Sequence, residues 1–488
     1  MRKSILCLLL AVILVLSFSG TVTFAAQPDR TFTYEDDNTP VPSTNVYQVK
    51  IIIDEAITGT DKMKNPTDIY IDHDDNIYIL DAGNSRVLVL DKNYKLVKEL
   101  REFTYNGEKT TLAVGAQGLF YREENQRLYI ADTENNRVIV TALDGTISKI
   151  FEKPVDELLN PATQYKPKKI IVDNMGIMYI TSANINTGAL LVDSSNQFLG
   201  FYGTNKLKET AGMKVERIWR TLFKKAMSST TYQPVEFYNM YWSEDRFVYT
   251  VSPLVDTVAS SVSKLNALGN NIFTKDLDYY QLAEDRSFEN MILSDITVDK
   301  EGAITILETS AGRLYHYDEG CNLLAVFGGY GYQEGLYERP VAIESDSKNN
   351  LYVLDQVKNS VTVLEQTFYG QMIRSANYLF NQGLYEDSIE PWMEVLRMNA
   401  NYTPAYMGLG KAYISMCEYE TAMDYFKLGQ DKEGYAEAKA ALRDERIRDN
   451  FGVVAVVVIV VLIAILFYEK IGDIIFDIYW KVRKGRGK

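Results

Sequence analysis

The feature that most constrains the fold of this chain is a short apolar strand that recurs through its middle. The first copy is Ile77–Asp81 (IYILD), and successive copies start 47 to 70 residues apart. That spacing accommodates four short strands and their turns, which is one blade of a β-propeller. The copies begin at Ile77, Leu128, Met178, Val248, Ile304 and Leu351.

Six copies predict a mainly β fold, a six-bladed β-propeller over residues 46–365. An additional apolar strand over 46–53 precedes the first unit. We expect this strand to join the last blade and close the ring, because closure removes exposed sheet edges.

A polar turn follows the tyrosine strand in the first two units. Its aspartate can accept backbone N–H groups and its asparagine tolerates positive φ, so both residue types suit a tight turn. The residues of this turn motif are Asp81, Asn84 and Arg86 in the first unit and Asp132, Asn135 and Arg137 in the second.

This Asp-x-x-Asn-x-Arg-Val pattern resembles the NHL-repeat propellers. The fifth unit keeps only Arg313 of the pattern, and the sixth has Ser360 where the arginine would stand. Some relatives of this type are metal-dependent lactonases or lyases, and others are membrane proteins that accompany transport systems. The resemblance therefore implies a fold but leaves both a binding and a catalytic function open.

The largest spacing, between the third and fourth units, indicates an insertion. Residues 205–227 are rich in lysine and arginine and show apolar residues at helical spacing. One interpretation is a basic helix that attracts an anionic ligand or partner. The favoured alternative is a flap that covers one mouth of the ring. The candidate binding residues are Arg217, Trp219, Arg220 and Lys224.

Over residues 370–445 apolar residues recur about every 3.6 positions instead of every second position, which predicts helices. Their large and small residues resemble one and a half to two tetratricopeptide repeats, in which glycine and alanine permit close helix packing. So few repeats rarely stand alone, and a rigid stalk is favoured over a peptide-binding groove. Tyr406 and Lys411 are the candidate partner-binding residues of such a groove.

Both ends of the chain predict a membrane protein. Residues 1–25 have the basic start, apolar centre and small-residue exit of a signal peptide, with an uncleaved anchor as the alternative. Residues 451–468 form an uncharged run that predicts a transmembrane helix. The tail over 469–488 is basic and has apolar residues at helical spacing. Excess positive charge marks the cytoplasmic side, so the propeller and helical repeats are expected outside the cytoplasm.

Composition limits the chemistry. The formal net charge of −14 argues against non-specific nucleic-acid binding, which needs a basic face. Only His73 and His316 are present, so three zinc-ligating histidines cannot be assembled. Acid-clustered metal binding at the pore by Asp68, Asp173 or Asp295 stays open, although these positions fit strand-end turns more simply.

The sequence thus predicts a membrane-anchored, extracytoplasmic binding or scaffold protein without a cofactor. Its partner would be a membrane-embedded or cell-surface protein, or a carbohydrate. The alternative is a metal-dependent lactonase or lyase acting at the central channel. A third hypothesis makes the helical repeats the main partner site.

Overall fold

The structure is a computed structural model that describes residues 31–34, 39–204, 236–253, 261–273, 277 and 291–485. The predicted signal peptide over 1–25 and the basic insertion over 205–227 lie outside the described residues, as does the end of the tail. The described chain divides into two compact units. The first contains the residues up to Tyr378 together with Val395–Tyr402, and the second contains Leu379–Glu394 together with the residues from Thr403 onward.

The first unit opens with three strands and one helical turn. These elements are β1 (Thr31–Tyr34), β2 (Pro40–Ser43), β3 (Tyr47–Ile53) and α1 (Glu55–Thr58).

The first three blades follow as four-stranded antiparallel sheets, with a small hairpin between the first and second. Blade 1 consists of β4 (Asp68–Ile71), β5 (Ile77–Asp81), β6 (Arg86–Leu90) and β7 (Leu96–Leu100), and the hairpin of β8 (Phe103–Tyr105) and β9 (Glu108–Thr110). Blade 2 consists of β10 (Gly118–Arg122), β11 (Arg127–Asp132), β12 (Arg137–Thr141) and β13 (Ile147–Phe151). Blade 3 consists of β14 (Pro167–Val172), β15 (Met178–Ser182), β16 (Ala189–Val192) and β17 (Phe198–Tyr202).

The next three blades complete the ring. Blade 4 has three strands within the described residues, β18 (Asn239–Trp242), β19 (Val248–Val251) and β20 (Val262–Leu265). Blade 5 contains β21 (Leu293–Val298), β22 (Ile304–Glu308), β23 (Arg313–Tyr317) and β24 (Leu323–Gly328). Blade 6 contains β25 (Pro340–Ser345), β26 (Leu351–Asp355) and β27 (Ser360–Gln366).

The early strand β3 closes the ring, as predicted. It pairs antiparallel with β27, from Ile53 opposite Val361 to Tyr47 opposite Gln366, and so supplies the fourth strand of blade 6. The six-bladed propeller is therefore present, and its last blade combines both ends of the domain.

Strands β1 and β2 were not predicted. They form a hairpin that adds to the outer edge of blade 5, with Phe32 opposite Val326, and make a six-stranded sheet. The predicted propeller range, 46–365, does not include this hairpin. Pro40 and Pro42 lack N–H donors and weaken the strand signal, although an edge strand tolerates them.

Burial explains the recurring apolar strand. All five residues of Ile77–Asp81 are buried, as are those of Arg86–Leu90, because the middle of a blade packs against neighbouring blades on both faces. The outer strand Leu96–Leu100 has only one buried residue instead. The repeat is therefore visible in the inner strands and weak in the outer ones.

The turn motif forms a buried ion pair in blade 1. Arg86 Nε donates to Asp81 Oδ2 at 2.6 Å, and the Asn84 amide donates to the same oxygen at 2.8 Å. Asp81 Oδ1 accepts the Lys64 N–H at 2.7 Å. The predicted role of asparagine needs correction, because the positive φ belongs to the next residue, Ser85, at 51°.

The second copy of the motif has the same geometry with more exposure. Arg137 Nε and the Asn135 amide each lie 2.8 Å from Asp132 Oδ2. The Arg137 side chain is 18% exposed, whereas that of Arg86 is 0% exposed. Here Asn136 takes the positive φ, at 56°.

This difference predicts that two matched substitutions lower the free energy of unfolding by unequal amounts. Arg86→Met leaves the Asp81 carboxylate buried without its cation and should destabilise the propeller by about 3–5 kcal/mol. Arg137→Met should destabilise the propeller less, since water reaches the Arg137 side chain, although Asp132 is itself fully buried. Urea denaturation of the two variants measures both costs, and equal losses would contradict the assigned role of burial.

The helices after the ring begin within the propeller unit. Helix α2 (Phe368–Asn381) packs Gly370 closely against the Val46 carbonyl, where a Cβ would meet the oxygen at 2.3 Å. Arg374 pairs with Asp299 at 3.3 Å, at the end of the blade 5 inner strand. The Tyr402 hydroxyl donates to the Leu324 carbonyl at 2.9 Å.

Helical hairpins occur over 370–445 as predicted. The remaining helices of this segment are α3 (Tyr385–Met398), α4 (Thr403–Ser415), α5 (Tyr419–Leu428) and α6 (Lys432–Asp449). Within the second unit, Gly410 lies against the Phe426 ring, where a Cβ would be 2.7 Å away. Glycine therefore permits the close approach of α4 and α5, as the repeat pattern requires.

The chain continues in α7 (Phe451–Leu466) and α8 (Tyr468–Gly485). The prediction of one spanning helix over 451–468 does not match these bounds, because the helix breaks at Phe467. Among the described helices, none alone has both the length and the apolar character needed to cross a bilayer. The pair Lys432–Asp449 and Phe451–Leu466, bent by 61°, meets those two criteria only when taken together.

Candidate functional site

The innermost strands of the six blades bring equivalent positions together around the propeller axis. Strand pairing places one position of each innermost strand opposite the fourth residue of the recurring strand, as with Asp68 opposite Leu80. In blade 3, where the register shifts, the Lys169 N–H donates to the Thr181 hydroxyl at the equivalent place, at 3.0 Å. We call these positions the first level: they hold Asp68, Gly118, Lys169, Asn239, Asp295 and Ala342. The second level, two residues later, holds Tyr70, Phe120, Ile171, Tyr241, Thr297 and Glu344.

An ion pair crosses the first level. Lys169 Nζ, from blade 3, lies 2.6 Å from Asp68 Oδ1, from blade 1. Asp68 Oδ2 accepts the Leu119 N–H of blade 2 at 2.7 Å. One carboxylate thus links three blades at the axis.

Asp295 makes the corresponding link between blades 5 and 6. Its Oδ2 accepts the Ile343 N–H at 2.8 Å, and its Oδ1 accepts from the Asn239 amide of blade 4. Asp68 and Asp295 are therefore not the strand-end turn residues that the sequence suggested. Asp173 is one, since its carboxylate accepts the N–H groups of Met175 and Ile177, each at 2.9 Å.

Glu344 stands at the second level and is only 8% exposed. Among the described side chains, none donates a hydrogen bond to its carboxyl group. Burial raises the pKa of Glu344 well above its ordinary value, Asp295 and Asp68 raise it further, and Lys169 opposes them. We call Asp68, Lys169, Asp295 and Glu344 the axial cluster.

The axial cluster holds more carboxyl groups than cations. Burial raises the pKa of Asp295 to about 7, although the charge of Lys169 lowers it. Burial lowers the pKa of Lys169, but Asp68 and Asp295 outweigh that effect and raise it overall. Lys169 therefore stays charged, and full ionisation of the three carboxyl groups would leave the cluster with excess negative charge.

A cavity of about 100 Å³ adjoins Glu344, and residues of all six blades line it. Its wall includes the second-level side chains Tyr70, Phe120, Ile171 and Tyr241. The rings of Tyr70 and Phe120 have centroids 5.1 Å apart. We call this space the axial cavity; it has room for several water molecules or one small organic group.

Three of the acids nearer the mouth of the cavity already have partners. Asp72 accepts the N–H groups of Asp74 and Asn76 and the Tyr78 hydroxyl. Asp299 and Asp346 accept turn N–H groups in the same way, and Asp299 also pairs with Arg374. These carboxylates hold the turns and are not free to bind a ligand.

The residues predicted from the sequence to bind a partner fall into two groups. Arg217, Trp219, Arg220 and Lys224 lie outside the described residues. Tyr406 and Lys411 are half-buried on α4, in the second unit. Nothing in the structure tests either group, so both stay predictions.

Lys169 and Glu344 were missed because they do not recur from blade to blade. The six first-level positions hold five different residue types, so no repeat motif marks them. Their sequence spacing could have located them. Lys169 precedes the tyrosine of its blade by as many residues as Asp68 does, and Glu344 by as many as Tyr70 does. A lysine or glutamate within an otherwise apolar inner strand is the feature to look for.

The two histidines lie apart from each other and from any group of metal-ligating side chains among the described residues. His73 is exposed in the first turn of blade 1, and His316 is buried with Nδ1 2.9 Å from the Thr305 hydroxyl. Burial lowers the pKa of His316 to about 4. Within the described ranges, no three histidine, cysteine or acidic side chains are grouped so that they could hold a metal ion.

Comparison with known proteins gives fold-level likeness only. No protein-family model matches the chain, and no curated protein matches it. Similar solved structures include a streptogramin B lyase, with 10% identity over 70% of this chain and 88% of that one and a TM-score of 0.38. Virginiamycin B lyase from Staphylococcus aureus has 10% identity over 66% of this chain and 100% of its own, with a TM-score of 0.40. The WD40 propeller domain of Doa1 has 11% identity over 67% and 99%, with a TM-score of 0.38. These likenesses are too distant to assign a function.

The buried carboxyl group of Glu344 predicts a pH-dependent effect of Glu344→Gln. The folded protein keeps a proton on Glu344 at pH values where the unfolded chain has released it, so the contribution of Glu344 to wild-type stability falls as pH rises above about 4.5. Glutamine does not titrate. The stability of the variant relative to wild type should therefore increase as pH rises.

Thermal unfolding of both proteins from pH 4.5 to pH 8 measures this difference. Thr297→Val, a second-level substitution without a titrating group, should differ from wild type by the same amount at every pH. A Glu344→Gln difference that is constant or shrinks with rising pH would show that Glu344 is not held in its neutral form.

Proposed function

We propose that this protein is a membrane-anchored, extracytoplasmic binding module that recognises its ligand or partner at the axial cavity of the propeller. The observation that carries the proposal is the cavity itself, which is lined by aromatic residues and has at its wall a buried carboxyl group without a side-chain donor. Its wall combines aromatic rings with charged and polar side chains, so it can give a small ligand both apolar contact and placed polar groups. The NHL and tetratricopeptide resemblances fit such a module.

The membrane part of the proposal is supported by α7. This helix has no charged residue and no buried residue, and its valine and isoleucine side chains are about half exposed or more, such as Val453 at 66%. Water does not favour so large an apolar surface. A bilayer would cover it, with the basic helix α8 on the cytoplasmic side and the propeller outside. The partner would be a membrane-embedded or cell-surface protein, or a carbohydrate.

The metal-dependent lactonase or lyase is the alternative function. Among the described residues it has no candidate metal centre, because Asp68 and Asp295 are occupied by backbone N–H groups and Lys169. Metal analysis of the full-length protein in detergent separates the two functions. The binding module should carry no stoichiometric divalent metal and unfold at the same temperature with and without a chelator. A bound metal whose removal lowers that temperature would favour the enzyme.

Partner recovery from the native membrane tests where recognition occurs. Ser347 is exposed at the mouth of the axial cavity, so Ser347→Trp should block entry and reduce crosslinked partner at least about fivefold, a loss of about 1 kcal/mol. Ser195→Trp makes the same change in an exposed turn at the periphery of blade 3 and should leave recovery unchanged. Equal recovery with both variants would contradict recognition at the cavity.

A further inference from the structure

The axial cluster has one cation for three carboxyl groups. Of its charges, Lys169 is committed to Asp68 at 2.6 Å, and Asp295 is held by backbone and amide donors. Glu344 is more than nine-tenths buried, lines the cavity, and receives no hydrogen bond from any described side chain. The Ser345 N–H and the charge of Lys169 lower the pKa of Glu344, but burial and the two aspartates outweigh them. Buried charges are normally paired, so this carboxyl group stays protonated unless a further cation enters the cavity.

Aromatic rings occupy the same level as Glu344. Tyr70 and Tyr241 are close enough that the charge of Glu344 raises the pKa of each hydroxyl, after the larger effect of burial. Phe120 lies beside Tyr70, with ring centroids 5.1 Å apart. Aromatic faces attract cations, and several rings around one acid form the environment that binds alkylated ammonium groups.

The hydroxyl groups at this level favour an apolar cation over a hydrated one. Tyr241 donates its hydroxyl hydrogen to the Val298 carbonyl at 3.0 Å, which fixes the ring at the wall. A hydrated metal ion needs several oxygen ligands, and the described acidic residues near the axis offer no such set. An ammonium group with methyl substituents needs one negative charge and apolar contact, and the second level supplies both.

We propose that the axial cavity binds a small organic cation of the alkylammonium class, with its charge on Glu344 and its methyl or methylene groups against Tyr70, Phe120 and Tyr241. This inference rests on the proposed binding function and names the chemical class of the ligand. The cation completes the charge balance of the axial cluster.

Tetramethylammonium is the probe, and binding is measured on the full-length protein in detergent by calorimetry and by the rise in unfolding temperature. Tetramethylammonium chloride should raise that temperature more than equal concentrations of sodium chloride or of tert-butanol, a neutral group of similar shape. Glu344→Gln should weaken binding at least about tenfold, and Phe120→Leu about threefold, because one removes the charge and the other an aromatic face.

Glu157→Gln is the matched control, since it makes the same charge change at an exposed loop position. It should bind the probe as wild type does. Stabilisation equal to that by sodium chloride or tert-butanol would overturn the proposal, as would equal binding by Glu344→Gln in a variant that still unfolds cooperatively.

The outcome is independent of partner recovery. If the probe fails to bind while Ser347→Trp still reduces recovery, the binding function stands and the ligand class is wrong. If the probe binds through Glu344 while recovery is insensitive to Ser347→Trp, the cavity binds a cation but does not mediate partner recognition.

Discussion

The pairing of β3 with β27 is the constraint on which the rest of the structure depends. It joins residues more than 300 positions apart, as shown by the Gln48 amide donating to Glu365 at 2.9 Å. Without it, β27 would be the outer edge of the last blade, with unpaired backbone groups. Closure also fixes the distance between blades 6 and 1, and thereby places Glu344 near Tyr70. The axial cavity is therefore a consequence of ring closure.

Ring closure sets the chemistry of the axis. The six innermost strands meet at the axis and leave little space between the first and second levels. Two of the six first-level positions hold aspartates, and each accepts a hydrogen bond from a backbone N–H group of the next blade. Lys169 reaches across from blade 3 to one of them. These contacts satisfy Asp68 and Asp295 but give the Glu344 carboxyl group no side-chain donor among the described residues, and only the Ser345 N–H bonds to it. The charge imbalance thus follows from which blades supply acids and which supplies the lysine.

Much of the fold could be predicted from the sequence, because its strongest signals repeat. The strand of Ile77–Asp81 is buried on both faces and recurs, and the Asp81–Arg86 pair recurs in blade 2, so both are visible without a structure. Strands β1 and β2 were missed because they occur once and contain two prolines. The predicted span over 451–468 was drawn from apolar composition alone, which does not show that the helix ends at Leu466.

The candidate site was less accessible to sequence reasoning, for a physical reason. Propeller blades share the residues that hold their strands together, whereas a site on the axis takes a different residue from each blade. Lys169 and Glu344 can be recognised as site residues only when the strand register places them at the propeller axis. Arg217 and Lys224 were predicted to bind a partner because basic residues are dense in that stretch of sequence, and their role stays a prediction.

A structure of the full-length protein determined in the presence of tetramethylammonium tests the central claim most directly. The account predicts density for one cation in the axial cavity, in contact with the Glu344 carboxyl group and the rings of Tyr70, Phe120 and Tyr241. An empty or water-filled cavity at saturating tetramethylammonium, or a cation bound elsewhere on the propeller, would contradict it.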